Sequence, residues 1–196
     1  MFHDIPLPVK ERMDFLERLN AEHRKDNVDH WQRLRQVPPE TGRFLALLAA
    51  RAPQGKFLEI GTSGGYSGLW ISLALRHLAG TLTTFEIREE KVRLAQETFS
   101  KAKVDDIIEI IHGDVLDFLS KYDGVAFCFL DAEKEVYETC YDILVPNMVT
   151  GGILIADNII SHKEILEPFA QKAFNDKRVD ALVIPIGNGE LVCTKV

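Results

Sequence analysis

The chain has few cysteines, no long apolar run and no excess of positive charge. Its 196 residues contain 3 cysteines without a C-x-x-C spacing, which argues against a disulfide framework or a thiolate metal site. We expect Cys128, Cys140 and Cys193 to be buried free thiols. No apolar run reaches the roughly 18 residues of a membrane-spanning helix. The formal net charge of −7 offers no basic surface, so a membrane span and a nucleic-acid partner are both disfavoured.

The N-terminal stretch MFHDIPLPVK lacks the apolar core of a secretory signal. Together with the absence of a long apolar run, this favours a cytoplasmic location. A hydrophobic content of 46% in 196 residues suits one packed domain and is short for two. We therefore expect a single domain over residues 1–196, made of an N-terminal helical arm, 1–51, and a core, 52–196.

Helical spacing dominates the arm. Apolar residues recur three or four positions apart in places between residues 9 and 35, and a second helix is predicted over residues 38–51. The arm is interpreted as a lid or a dimer arm, because its apolar side chains need a partner surface, either the core or a second subunit. Trp31 in the arm and Trp70 in the core are ascribed to packing, with part of an aromatic wall as the alternative.

Short apolar runs alternate with amphipathic helical stretches in the core. The runs predict strands at residues 57–60, 82–85, 107–111, 125–130 and 153–156. This alternation predicts a doubly wound α/β fold with a mostly parallel sheet and right-handed crossovers. The C-terminal stretch ALVIPIGNGELVCTKV is typical of two further strands joined by a glycine-containing hairpin, so one strand must run antiparallel to its neighbour.

The segment KFLEIGTSGGYSGLWISLAL joins an apolar strand to a helix through a glycine turn at Gly61. Glycine lets the backbone turn sharply, and the unpaired N–H groups of the helix's first turn offer donors to a negative or polar ligand. Glu86 ends the next apolar run, TLTTFE, where an acidic side chain can accept hydrogen bonds from both hydroxyls of a ribose. The motif G-x-G-x-x-G would need glycines at Ser63 and Tyr66, which argues against a dinucleotide.

Oxygen-donor side chains follow two further apolar runs. Asp131 ends VAFCFL, and Asp157 and Asn158 end GGILIA. Because the carboxyl ends of parallel strands meet at one edge of a sheet, we expect the three side chains to converge on a divalent cation, Mg²⁺ foremost, with Mn²⁺ or Ca²⁺ as alternatives. The other interpretation is that the aspartates only cap the helices that follow. Lys134 could face the same cleft and take a substrate proton or hold a phenolate charge, or else be a solvated surface residue.

Several motifs together resemble one known family. They are the segment EIGTSGGYS, Glu86, His112-Gly113-Asp114, the run DAEKEVY from Asp131, Asp157-Asn158 and the closing PIGNGE, and they are similar to the cation-dependent O-methyltransferases of the catechol and caffeoyl-coenzyme A type. The resemblance extends from about Gln36 to the C-terminus, with motif order and spacing in agreement. It implies a class I S-adenosylmethionine-dependent methyltransferase, a seven-stranded sheet whose last strand is inserted antiparallel, and a homodimer.

The resemblance also assigns roles to individual residues. It implies that Lys134 is the catalytic lysine, acting beside Asp131. The implied contacts with S-adenosylmethionine are Gln36, Val37, Glu59, Gly61, Ser63, Ser67, Glu86, Ile87, Gly113, Asp114 and Asp131. Asp114 has a second interpretation as a helix N-cap. Tyr137 is assigned to packing, and His162 either lines the substrate cleft or is a surface histidine.

The implied methyl acceptor is a small catechol-like or vicinal hydroxyl compound, because the chain after Asn158 is shorter than in the plant coenzyme A ester enzymes. A hydroxylated tRNA base is an alternative on the same fold, although the acidic balance counts against it. A serine hydrolase is another, because GTSGG matches G-x-S-x-G at Ser63, with Asp131 and His162 following in the expected order. That alternative lacks strands before Lys56 and gives Glu86 no purpose. A non-catalytic binding module would leave the lysine and the oxygen donors without a use.

Overall fold

The computed structural model describes residues 1–26, 28–29 and 32–196, so Trp31 lies outside the described residues. The strands are β1 Lys56–Ile60, β2 Leu82–Glu86, β3 Ile108–His112, β4 Val125–Leu130, β5 Met148–Ala156, β6 Val179–Ile184 and β7 Glu190–Lys195. The α-helices are α1 Leu7–Lys25, α2 Pro39–Ala49, α3 Tyr66–Leu78, α4 Glu89–Ala102, α5 Tyr137–Asn147 and α6 Lys163–Asn175. Short 3₁₀ helices lie at Val115–Asp117, Leu119–Lys121 and Lys134–Val136.

The strands form a 7-stranded sheet in the order β3-β2-β1-β4-β5-β7-β6. Strands β1 to β5 are parallel, and β7 is inserted antiparallel between β5 and β6. This arrangement confirms the predicted doubly wound α/β fold and its antiparallel C-terminal strand. The strand order reverses between β1 and β4, and the crevice at the carboxyl ends beside such a reversal is where open α/β sheets bind ligands.

Both faces of the sheet are covered, which is why the central strand β4 is apolar throughout and buried at each residue. Its side chains alternate between two cores: Phe127 and Phe129 pack on the side of α1 to α4, whereas Cys128 and Leu130 pack on the side of α5 and α6. Trp70 lies in the first core with its ring edge-on to Tyr66, as predicted for a packing residue. The strand ends are therefore held rigidly from both sides.

The structure bears on the predicted state of the cysteines and on membrane-spanning helices. All three cysteines, Cys128, Cys140 and Cys193, are buried and free, which confirms the prediction of buried free thiols. Within residues 1–26, 28–29 and 32–196, no helix has the length and apolar character needed to cross a membrane.

The N-terminal helix is shorter than predicted. Helix α1 ends at Lys25, with Asp26 at its C-cap, so the predicted continuation to Arg35 is wrong. Aspartate and valine follow in place of strong helix formers, which explains the early end. The helix packs on α3 and α4 through its buried apolar residues, which are Val9, Met13 and Leu16. The arm's apolar face therefore finds its partner surface within the same chain, and a lid or dimer role stays a prediction.

Other boundaries also differ from the prediction, most of all the start of β5. Strand β5 begins at Met148 rather than at Ile153, because the β-forming residues Val149 and Thr150 extend it across Gly151 and its glycine neighbour. Helix α2 ends at Ala49, before the predicted residue 51. Neither difference moves a strand end that carries a predicted site residue.

Candidate active site

A cavity of about 470 Å³ opens at the carboxyl ends of β1, β2 and β4. Most of the predicted site residues line it together: Gln36, Gly61, Ser63, Glu86, Ile87, Gly113, Asp114, Asp131, Lys134, Asn158 and His162. Other predicted residues are buried behind its wall: Val37, Glu59, Ser67 and Asp157. The sequence motifs therefore meet in one place, although they are distributed over most of the chain.

The glycine turn after β1 forms the floor of the cavity. Gly61 has φ of 104°, and a Cβ built on it would lie 2.1 Å from the backbone oxygen of Asp131. The amide of Asp131 in turn donates to the carbonyl of Ile60 at 2.9 Å. Only glycine satisfies both the left-handed backbone and this contact, so the turn and the end of β4 are locked together.

We predict that Gly61→Ala destabilises the protein by about 3 kcal/mol or more, because backbone strain and overpacking each cost about 1–3 kcal/mol. Gly124→Ala is the matched control, since Gly124 also has positive φ, 65°, but its built Cβ has nothing within 4 Å. That control should cost only about 1–2 kcal/mol, from backbone strain alone. Urea denaturation measures both, and equal losses would contradict the proposed lock.

Glu86 stands at the end of β2 with its carboxylate fixed by the backbone. Its Oε2 accepts from the amide of Ser63 at 2.8 Å, and its Oε1 accepts from the amide of Arg88 at 3.0 Å. The residue is 8% exposed and lines the cavity, so lone pairs of both oxygens remain for a ligand. The carboxylate is thereby oriented before any ligand arrives.

Glu59 lies beneath the glycine turn and is fully buried. Its Oε2 accepts from the hydroxyl of Thr84 at 2.7 Å, whereas its Oε1 has no hydrogen-bond partner in the part of the chain that the structure describes. Burial raises the pKa of Glu59 to about 7, although the hydroxyls of Ser67 and Thr84 oppose the rise. An unpartnered carboxyl oxygen at this depth is costly unless a donor group pairs with it.

The segment 32–36 forms the roof of the cavity and is held from three walls. Lys91 on α4 donates to the carbonyl of Arg33 at 2.8 Å, and the hydroxyl of Ser63 donates to the carbonyl of Leu34 at 2.6 Å. Arg35 forms an ion pair with Glu133 at 2.6 Å. The roof therefore crosses from the β2 side of the cavity to the β4 side, and it places Gln36 in the lining.

On the β3 side, the structure supports both interpretations of Asp114. Its Oδ1 accepts from the amide of Leu116 at 3.0 Å, as expected of a helix N-cap, and the residue also lines the cavity. Ile87 is 60% exposed on the same side, where an apolar surface facing the cavity suits a flat ring. Gly113 completes this wall.

The three predicted oxygen donors directly follow two adjacent strands, β4 and β5. The register places Leu130 beside Ala156, so Asp131 and Asp157 follow neighbouring strand ends. Burial raises the pKa of Asp157 to about 6, and the charge of Asp131 adds to the rise. Asn158 has φ of 70°, a left-handed conformation that turns the chain and brings this residue into the cavity lining. A buried carboxyl at Asp157 and a partly buried one at Asp131, which repel one another, form with the amide of Asn158 a donor set that fits a hard cation.

Within the described ranges, no group of three or more histidine, cysteine, aspartate or glutamate residues has the arrangement of a metal site. The predicted set contains only two carboxylates, and its third member is an amide. A further carboxyl, which the sequence reading missed, lies close by: Glu190 at the start of β7 is fully buried. Burial raises its pKa to about 10, and the charge of Asp157 adds to the rise. Its only sequence signal is the closing PIGNGE, which does not show that the side chain points inward.

Lys134 begins a 3₁₀ helix rather than an α-helix, and its side chain is 10% exposed. Its Nζ donates to the carbonyl of Ala132 at 2.8 Å and to the hydroxyl of Tyr137 at 2.9 Å, and lies 3.4 Å from Oδ1 of Asp131. The interpretation as a solvated surface residue is therefore wrong. Tyr137 is buried as predicted, but its hydroxyl takes part in the site, which the packing assignment missed.

Ser63 and His162 both line the cavity, but they do not form a nucleophile and base pair. The Ser63 hydroxyl donates to a roof carbonyl, and Nδ1 of His162 lies 3.0 Å from the hydroxyl of Ser161. His162 lines the cavity and is also exposed, so it is both a cleft residue and a surface histidine.

A seven-stranded sheet with an antiparallel β7, a glycine turn after β1 and an acid at the end of β2 define a class I methyltransferase fold. The family model described as O-methyltransferase matches residues 10–196. The chain therefore belongs to the O-methyltransferase family, and it is an enzyme of that class. The serine hydrolase and the binding module are thereby excluded.

Named relatives and solved structures agree with this assignment. The chain is 31% identical to a catechol O-methyltransferase of Mycobacterium tuberculosis over 132 residues, 66% of this chain and 60% of the relative. It is 28% identical to a caffeoyl-CoA O-methyltransferase of Populus kitakamiensis over 184 residues, 82% of this chain and 78% of the relative. The fold matches an O-methyltransferase from Bacillus cereus, solved in complex with SAH, with a TM-score of 0.79 and 24% identity over 94% of this chain and 91% of that one.

Proposed function

We propose that this protein transfers the methyl group of S-adenosylmethionine to a hydroxyl of a small catechol-like or vicinal diol acceptor, with the help of a divalent cation. The observation that carries the proposal is the cavity that Glu86, Asp131, Lys134 and Asn158 line together, with Asp157 buried directly behind its wall. The B. cereus structure in complex with SAH supports the choice of methyl donor. The names of the catechol and caffeoyl-CoA relatives support the class of acceptor.

The cavity has a cofactor half and an acceptor half. In the cofactor half, Glu86 would hold the ribose hydroxyls, Ile87 would contact the adenine ring and Asp114 its amino group. Ser67 is buried in the first turn of α3, whose backbone N–H groups would donate to the methionine carboxylate. Glu59 would receive the methionine ammonium, since its Oε1 has no other partner and a nearby positive charge would favour its ionised form.

In the acceptor half, Asp131, Asp157 and Asn158 would hold the cation. When bound, a dication supplies positive charge that favours the ionised form of an acceptor hydroxyl. The ammonium of Lys134 donates to Ala132, Tyr137 and Asp131. These three hydrogen bonds fix its positive charge beside the position of the acceptor. The residues thus orient the acceptor and neutralise its oxygen while the roof segment 32–36 excludes water.

The decisive experiment incubates the protein with labelled S-adenosylmethionine and a panel of catechols, with and without Mg²⁺. Label transferred to a catechol in a Mg²⁺-dependent manner supports the proposal. Transfer to tRNA with no transfer to any catechol would replace the acceptor with the nucleic-acid alternative. The homodimer implied by the resemblance stays a separate prediction, which light scattering at micromolar concentration tests.

We predict that Glu86→Gln weakens S-adenosylmethionine binding by about 1–3 kcal/mol, because the charged acceptor of the ribose hydroxyls is lost while one oxygen remains to hold the turn. This corresponds to a Kd raised roughly five- to 150-fold. Glu109→Gln is the control, since Glu109 is an exposed acid on the neighbouring strand β3. Calorimetry measures both variants, and an unchanged Kd in Glu86→Gln would remove the ribose contact from the proposal.

A further inference from the structure

Tyr137 makes two polar contacts inside the candidate active site. Its hydroxyl accepts from Nζ of Lys134 at 2.9 Å and donates to the backbone carbonyl of Asp157 at 3.3 Å. The direction is consistent, because an ammonium only donates and a carbonyl only accepts. One buried hydroxyl therefore connects the lysine that follows β4 with the aspartate that follows β5.

The ring of Tyr137 adds a second contact with the same lysine. Nζ of Lys134 lies 4.8 Å from the ring centroid, within the range of a cation–π interaction. The ring itself is fixed, because Tyr137 is fully buried and stands edge-on to Phe169, with centroids 5.6 Å apart and planes at 88°. A rigid aromatic residue thus limits where a flexible lysine side chain can place its charge.

We propose that Tyr137 is a positioning residue for Lys134, which its hydroxyl holds at a fixed distance from Asp157 and therefore from the predicted cation. The inference rests on the proposed function for its kinetic consequence but not for its geometry. Without the hydroxyl, the lysine loses one of its acceptors and gains freedom to leave the acceptor half of the cavity. The packing contacts of the ring would remain.

The chain offers a matched control in Tyr141, one turn further along α5. Tyr141 is also fully buried and edge-on to Phe169, with centroids 5.7 Å apart and planes at 84°. Its hydroxyl, however, donates to Asp176 at 3.0 Å, outside the active site. Tyr137→Phe and Tyr141→Phe therefore remove the same group from similar packing, and only the first touches Lys134.

The first test is independent of activity. Heteronuclear NMR of lysine ammonium groups in nitrogen-labelled protein should contain one signal that disappears in Lys134→Arg. We expect that signal to broaden in Tyr137→Phe, because a less constrained ammonium exchanges faster with water, and to persist in Tyr141→Phe. An unchanged signal in Tyr137→Phe, equal broadening in both variants, or no signal that depends on Lys134 would overturn the proposal.

The second test is kinetic. In Tyr137→Phe, kcat should fall on the order of tenfold, the scale on which loss of a hydrogen bond that orients a reactive side chain lowers activity. The KM for S-adenosylmethionine should stay unchanged. Tyr141→Phe should keep both values. If the unsubstituted protein methylates no acceptor, the proposed function fails, whereas the NMR result still decides the role of Tyr137.

Discussion

Chelation of divalent cations is expected to abolish methyl transfer and to leave S-adenosylmethionine binding intact. The two effects should separate because most of the proposed cofactor contacts would lie at the ends of β1, β2 and β3, whereas the cation would be held at the ends of β4 and β5. Removing a catalytic cation forfeits several kcal/mol of charge stabilisation, which is about a hundredfold or more in rate. Mg²⁺ or Mn²⁺ added in excess of chelator should restore the rate. A methyl-transfer assay and calorimetry on the same preparation measure both quantities.

Asp157→Ala should reproduce the effect of chelator in the absence of chelator. Its side chain is one of two carboxylates in the donor set, so its loss removes half of the negative charge available to the ion. Asp180→Ala is the control, because Asp180 is an exposed acid on the edge strand β6. Full activity in excess chelator would refute the cation mechanism, whereas loss of S-adenosylmethionine binding in Asp157→Ala would indicate general damage to the site.

The sequence predicted those parts of the fold in which local pattern and tertiary environment agree. Strand β4 was predicted at its observed bounds, because a strand buried on both faces must be apolar throughout. The C-terminal hairpin was predicted because glycine marked its turn. Helix α1 was predicted too long, since apolar spacing continues after Lys25 although the backbone does not remain helical. Periodicity indicates a possible face of a helix but not where the helix ends.

Residues that line the cavity were predictable where strand ends carry polar side chains, as at Glu86 and Asp131. The contacts between these side chains were not predictable from the sequence. Whether Tyr137 only packs or also binds Lys134 depends on a 3₁₀ turn that local pattern did not indicate. Burial of Glu190 likewise depends on the packing of distant elements around the start of β7, which no local pattern records. The contacts of such residues can be identified only from the tertiary structure.

Lys134→Ala is expected to lower kcat by about a hundredfold or more, the scale on which a positioned charge or proton-transfer group contributes. The lysine is 10% exposed and ion-paired with Asp131, so its charge acts where water is largely excluded. Lys177→Ala is the control, because Lys177 is exposed between α6 and β6.

Lys134→Arg separates the two roles of the lysine, because arginine keeps the positive charge but does not act as a base. Substantial recovery of kcat in this variant indicates charge neutralisation, and no recovery indicates proton transfer. Calorimetry should find cation binding retained in Lys134→Ala, and wild-type turnover in that variant would remove the lysine from the mechanism.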